Sequence, residues 1–258
     1  MKIAISGKGG VGKTTLAALL AKAFSKNGYS VIAIDADPAA NLAATLGFAD
    51  AEKIVPISEL DSLIEERTGA KPGQSAPFFK LNPRVDDIPD KYSAQHNGIR
   101  LMVMGRIKRG GTGCYCPEGA LLQALVSHLL LQSSEVVIMD MEAGVEHLAR
   151  GTAKAVDKLI VVVEPGRRSI ETARTIIRLA EDLGITHIGI VGNRVRGEPD
   201  REFIRSSLPG AEFLGFIPYD PAVIDADVAN TLPIDASRKI IDEVNNIYHR
   251  LMSASGVK

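Results

Sequence analysis

Residues 7–14 read Gly7-Lys8-Gly9-Gly10-Val11-Gly12-Lys13-Thr14: a glycine, four residues, a second glycine, a lysine and a threonine. The run leaves the apolar segment Lys2 to Ser6 and opens the amphipathic stretch Lys13 to Asn27. A loop of this pattern holds phosphate only between a buried strand and a helix N-terminus. There its glycines let the main chain approach closely, and its N–H groups and the helix dipole point at the anion. The four fixed positions arise by chance in roughly one chain in a hundred of this length. By the mechanics of the loop, Gly9, Gly10, Val11, Gly12 and Thr15 line a nucleotide's phosphates, Lys13 pairs with the β and γ oxygens, and the Thr14 hydroxyl ligates Mg²⁺.

Such a loop requires a sheet, and the chain supplies one. Short β-branched runs recur at Lys2 to Ser6, Ser30 to Asp35, Ile99 to Met104, Glu135 to Asp140, Lys158 to Val163, Ile188 to Gly192 and Phe213 to Ile217. They are nearly continuous in apolar character, as parallel strands covered on both faces are. Helical patterns lie between them at Lys13 to Asn27, Pro117 to Gln132, Ser169 to Leu183, Asp200 to Leu208 and Ser237 to Met252. This alternation predicts an α/β fold with a doubly wound, mostly parallel sheet and helices on both faces. No repeat or Ser/Gly linker divides the chain, so residues 1–258 are expected to form a single domain. The least regular part, about 70–97 with Pro72, Pro77, Pro83 and Pro89, is expected to be a surface excursion or interface arm with an edge strand at Phe78 to Leu81.

Composition narrows the partners. Thirty basic against thirty-one acidic side chains give a formal charge of -1, which provides no net field for nucleic acid or an anionic membrane. Apolar runs break within a few residues, far short of a membrane span. Met1 enters a strand almost at once, without the apolar core of a secretory signal, so the expected location is the cytoplasm.

Two further strand ends carry acids, at Ile34-Asp35-Ala36-Asp37-Pro38 and at Val136-Val137-Ile138-Met139-Asp140-Met141-Glu142-Ala143-Gly144. Open α/β sheets bind their ligands at such ends. Asp140 has the place of the acid that organises Mg²⁺ beside the phosphates, and Gly144 lets the following loop track the γ-phosphate. Asp37 also has a structural alternative, as the cap of a short helix starting near Ala39.

The chain has only two cysteines, Cys114 and Cys116, between the glycine run Gly110 to Gly113 and a helix start with Pro117 at its first position. Helix partial charge and the nearby Arg106, Lys108 and Arg109 are expected to favour thiolate, the ligand that borderline divalent metals select. One chain offers two sulfurs where a closed tetrahedral thiolate site needs four, and a twofold homodimer would supply them for Zn²⁺, Ni²⁺ or an iron–sulfur cluster. The alternative is two incidental reduced thiols. His96, His128, His147, His187 and His249 show no ligand spacing.

With its second lysine, Lys8, the loop resembles the deviant phosphate loop of the class that holds MinD, ParA and nitrogenase iron protein. That resemblance implies that Lys8 reaches across a dimer interface to the partner's nucleotide, that Asp35 holds a Mg²⁺-bound water, and that Asp37 orients the attacking water. It further implies that Asn193 hydrogen-bonds adenine beside a loop formed by Pro218, Tyr219 and Asp220, which makes the nucleotide ATP; Asn193-Arg194-Val195-Arg196 is not a guanine signature. Together with the cysteine pair, Asp140 to Gly144, Phe79-Lys80-Leu81-Asn82-Pro83 and Asp86-Asp87-Ile88-Pro89 resemble the CooC-type nickel-insertion ATPases. This family implies nickel delivery to a client enzyme, carbon monoxide dehydrogenase or acetyl-CoA synthase. An ATP-gated iron–sulfur electron donor and a positioning ATPase are the rival readings. The final helix, with Asp242, Glu243, Asn245 and Asn246, lacks the basic face of a membrane anchor and is expected to pack on the sheet.

Overall fold

The structure, a computed structural model, describes residues 1–37, 39–72, 78–105, 116–145, 148, 150–229 and 231–254. The elements run in the order β1 (Lys2–Gly7), α1 (Lys13–Lys26), β2 (Val31–Ala36), α2 (Leu42–Leu46), α3 (Asp61–Thr68), α4 (Ile88–Tyr92), β3 (Ala94–His96) and β4 (Ile99–Val103). They continue with α5 (Pro117–Leu131), β5 (Val136–Met141), α6 (Arg150–Ala153), β6 (Lys158–Val163), α7 (Arg167–Asp182), β7 (Ile188–Val195), α8 (Glu198–Ser207), β8 (Glu212–Pro218), α9 (Pro221–Val228) and α10 (Arg238–Ala254).

Eight strands form one sheet in the order β3-β4-β2-β5-β1-β6-β7-β8. All neighbours pair in parallel except β3 and β4. Every residue of β1, β2, β5 and β6 is buried, as their unbroken apolar runs require. One face carries α1, α2 and α10 over Ile3, Ile5, Ala33 and Ile138. The other carries α3, α5, α7 and α8 over Ile32, Ile34, Met139 and Val161. Four alanines along α1, Ala17, Ala18, Ala21 and Ala23, bring that helix close to the sheet, and Phe24 closes its end. In α10, Ile240, Val244, Ile247 and Leu251 pack into the same core, as expected for a helix that returns to the sheet.

The edge strand differs from the sequence expectation. Residues Phe78 to Leu81 are not a strand, and Phe78 is 88% exposed. The edge is β3, antiparallel to β4, closed by Asn97 and Gly98 with φ 48° and 76°. That Asn-Gly pair is a two-residue hairpin turn, whose twist matches the strands it joins. The irregular stretch is also less peripheral than expected, since Val85 and Ile88 are buried against the α3 and α5 side of the core.

Phe24 is fully buried and meets Tyr248 edge to face at 4.9 Å, tying α1 to α10. Phe24→Ala is expected to cost about 3–5 kcal/mol in chemical denaturation. A loss below about 1 kcal/mol would mean that the α1/α10 contact does not hold this face of the core.

Candidate functional site

The loop between β1 and α1 is shaped by contacts that only glycine permits. Gly12 caps α1 at φ 94°, and a Cβ there would lie 2.3 Å from Asn193 Nδ2. Gly7 has φ 153°, and its Cβ would lie 2.4 Å from the Val162 carbonyl oxygen. Val11, fully buried, anchors the loop to the core, and its N–H donates to the Lys8 carbonyl at 3.3 Å. Lys13 is buried with its ammonium 3.4 Å from the same carbonyl. Gly9, Gly10, Thr14 and Thr15 complete the turn from loop to helix, and the first N–H groups of a helix, having no partner within it, suit an anion.

Parallel pairing sets the acids beside this loop. Asp35 of β2 and Asp140 of β5 are register partners, and Asp140 is also the partner of Ile5, two residues before Gly7. Both carboxylates are fully buried. Thr14 Oγ1 donates to Asp140 Oδ2 at 2.6 Å, while Asp140 Oδ1 has no partner. Burial pushes the Asp140 carboxyl up to about 7, against the Thr14 hydrogen bond, and neighbouring Asp35 adds to the rise. Burial likewise raises Asp35 to about 6, although the N–H groups of Leu42 and Asp37 donate to it at 2.9 and 3.2 Å. A half-buried hydroxyl, two buried carboxylates and one unpartnered oxygen make an all-oxygen donor set that fits Mg²⁺.

Asp37 does not cap a helix as its structural alternative had it: its Oδ1 accepts from the Ala39 N–H at 2.9 Å within a turn, and α2 begins only at Leu42 with Asn41 as its N-cap. Ser6 was not singled out from sequence, yet it ties down the loop after β5. Its hydroxyl donates to the Gly144 carbonyl at 2.7 Å and accepts from the Gly144 N–H at 3.2 Å. A serine before a glycine carries no signal that would have shown this.

Lys8 is not a merely solvated loop residue. Its ammonium lies 3.1 Å from Glu164 Oε1, while Arg194 meets the other oxygen of Glu164 at 3.3 Å. Glu164 follows the apolar run of β6, the same strand-end signal that marks Asp140, and sequence reasoning passed over it.

Asn193 lies inside β7 rather than after it. The register with β8 shifts between Gly192 and Val195, and Arg194 has φ 55°. Bulges re-aim side chains in this way. Here the Asn193 amide donates to the Val11 carbonyl at 2.7 Å, and its Oδ1 accepts from the Arg194 N–H at 2.9 Å. Pro218 ends β8, Tyr219 stacks under Arg196 at 5.7 Å, and Asp220 caps α9 through the Ala222 N–H at 3.0 Å. Ser237 donates to Asp220 at 2.6 Å, which holds that carboxyl below its usual range.

Cys114 lies outside the described residues, as do Arg106, Lys108 and Arg109. Cys116 is the N-cap of α5 with Pro117 at the first position, and its sulfur accepts from the Gly119 N–H at 3.3 Å. The expected thiolate preference does not hold for Cys116. Burial raises its thiol, and the Glu118 carboxylate adds to the rise, outweighing the Gly119 N–H. Among the described residues, no group of three or more His, Cys, Asp or Glu side chains is placed to hold a metal ion. Also among them, no helix is long and apolar enough to cross a membrane.

Residues 2–234 match the family model of the CobQ/CobB/MinD/ParA nucleotide binding domain. The chain is 46% identical over 257 residues to carbon monoxide dehydrogenase accessory protein CooC of Rhodospirillum rubrum, covering 98% of this chain and 95% of that one. It is 47% identical over 255 residues to an uncharacterised ATP-binding protein of Methanocaldococcus jannaschii, covering 98% of both. Among solved structures, a chain of the MinC:MinD cell division complex of Aquifex aeolicus superposes with a TM-score of 0.68 at 25% identity, covering 97% of this chain and 95% of that one. MinD of Pyrococcus horikoshii complexed with Mg-ADP has the same fold, with a TM-score of 0.66 at 18% identity, covering 98% and 96%. The chain therefore belongs to the CobQ/CobB/MinD/ParA nucleotide-binding family, and within it to the CooC-type ATPases. It is a phosphate-loop ATPase, which implies ATP and Mg²⁺ as its ligands.

The raised acids set a pH dependence. Above its unfolded-state value, each carboxyl binds its proton more tightly in the folded chain than in the unfolded one. Without Mg²⁺, stability is therefore expected to fall as pH rises from about 4 to about 7 through Asp35 and Asp140. Asp140→Asn is expected to flatten that slope in denaturation curves, and Mg-ATP to offset it in the wild type. Parallel curves for wild type and variant would contradict the assignment.

Proposed function

We propose that the chain is a homodimerising Mg²⁺-ATPase whose nucleotide cycle controls a Ni²⁺ ion held by Cys114 and Cys116 of two subunits, and that it delivers nickel during maturation of carbon monoxide dehydrogenase or the related acetyl-CoA synthase. The likeness to CooC carries this reading, because it extends over nearly the whole chain and so takes in both the phosphate loop and the cysteine segment.

In this reading the loop N–H groups of Gly9 to Thr15 and the Lys13 ammonium hold the phosphates of ATP, and Thr14 with Asp140 holds Mg²⁺. Bound there, Mg²⁺ neutralises charge on the β and γ oxygens. Asp35 orients a water on the ion, and Asp37 leaves the Ala39 N–H to orient the attacking water. Asn193 and the Pro218-Tyr219-Asp220 turn lie on the adenine side. Lys8 exchanges Glu164 for the partner subunit's phosphates, and closure brings the two cysteine pairs together. The metal is cargo rather than a resident cofactor, and Zn²⁺ competes for the same sulfurs.

Switching such a dimer from about 1:99 to about 99:1 takes roughly 5.5 kcal/mol of differential ATP binding. One exposed ion pair supplies at most about 1 kcal/mol, so several charge-assisted contacts in a dry interface must contribute. Lys8→Ala is expected to reduce ATP-dependent dimerisation and hydrolysis together, as read by sedimentation and phosphate release; normal turnover in that variant would count against the shared site. In equilibrium dialysis, Cys114→Ser/Cys116→Ser is expected to lose Ni²⁺ while keeping ATP binding. Undiminished Ni²⁺ binding in the double variant would exclude the cysteine carrier, and a brown, iron-containing wild type would favour the electron-donor reading.

A further inference from the structure

Among the described residues three acids are buried almost completely: Asp35, Asp140 and Glu118. Two of them, Asp140 and Glu118, keep one oxygen with no partner. At the phosphate loop the unpartnered Asp140 oxygen has an explanation in the Mg²⁺ donor set. Glu118 has no such explanation. It is 5% exposed, no basic side chain among the described residues pairs with it, and Oε2 is left over. A carboxylate buried in this way is costly unless a cation or donor joins it.

The position of Glu118 is specific. It lies on the first turn of α5, two residues after the N-cap Cys116, and its carboxylate stands close enough to the Cys116 sulfur to help raise that thiol.

We propose that Glu118 supplies a carboxylate oxygen to the metal ion held at Cys116, so that each chain offers a mixed sulfur and oxygen donor set rather than thiolates alone. The proposal rests on the metal-carrier reading and deepens it. Two chains would then bring more donors than a four-coordinate ion accepts, and oxygen is the weaker donor to a borderline metal. The carboxylates are the ligands that come and go as the dimer opens and closes, giving the site donors to release without losing the ion.

The test is titration of the full-length protein with Co²⁺, with and without Mg-ATP, using wild type, Glu118→Gln and Cys116→Ser. Affinity is read by competition with a chelator and coordination by the visible ligand-field bands. Circular dichroism and ATP binding check that each variant is folded. Glu118→Gln is expected to bind Co²⁺ about tenfold more weakly in at least one nucleotide state. Its ligand-field bands are expected to change while the sulfur charge-transfer bands persist. Cys116→Ser is expected to weaken the charge-transfer bands to what Cys114 alone supplies and to lower the affinity. Unchanged affinity and spectrum in Glu118→Gln, with Cys116→Ser defective, would overturn the Glu118 ligand and leave the cysteine site standing. Unchanged binding in Cys116→Ser would remove the cysteine site and this proposal with it. Should Glu118→Gln fail to fold, X-ray absorption of the wild-type Co²⁺ protein decides: oxygen beside sulfur in the first shell supports the proposal, and sulfur alone overturns it.

Discussion

Two carboxylates buried side by side at the ends of neighbouring parallel strands constrain everything around them. Asp35 and Asp140 are register partners in the middle of the sheet, at full burial, and each is held above the ordinary carboxylate range. Such a pair is tolerable only where hydrogen bonds and a cation compensate it. The Leu42 and Asp37 N–H groups serve Asp35, the Thr14 hydroxyl serves one oxygen of Asp140, and the other oxygen has no partner, which is what the proposed Mg²⁺ site needs. The same strands carry the apolar runs that build the core, so the fold and the ion site are specified by the same residues.

From that centre the loops are held in place by single, identifiable contacts. Asn193, turned by a bulge in β7, ties the phosphate loop through the Val11 carbonyl. Ser6 ties the loop after β5 through Gly144, and Glu164 holds Lys8 beside the site. Of these, the Lys8–Glu164 pair is the one that phosphates would compete for in the proposed cycle. This pair is partly exposed and therefore weak, which suits the exchange proposed for it.

Much of this was legible in the sequence, for physical reasons. The phosphate loop is a contiguous motif with fixed φ requirements, and buried parallel strands announce themselves as unbroken apolar runs. Asp140 stands where such a run stops. What escaped was non-local or short. The aromatic pair at Phe78 and Phe79 has strand propensity but no partner strand, whereas β3 owes its place to the Asn97-Gly98 turn and to β4. Asn193 was placed beyond its strand because a bulge cannot be seen in a single sequence. Glu118 looked like an ordinary first-turn acid, and only its burial beside Cys116 distinguishes it. Charge patterning near the cysteines suggested an easily ionised thiol, whereas desolvation outweighs the helix terminus at Cys116.

The central claim is that one nucleotide cycle governs one metal site shared by two chains. Native mass spectrometry of the apo protein titrated with Ni²⁺, with and without Mg-ATP, tests it most directly, because chains, nucleotides and metal ions are counted in the same particle. The account predicts a dimer with one Ni²⁺ per two chains whose population rises with Mg-ATP. A dimer that forms with ATP but carries no metal, or a metal bound by single chains irrespective of nucleotide, would contradict it.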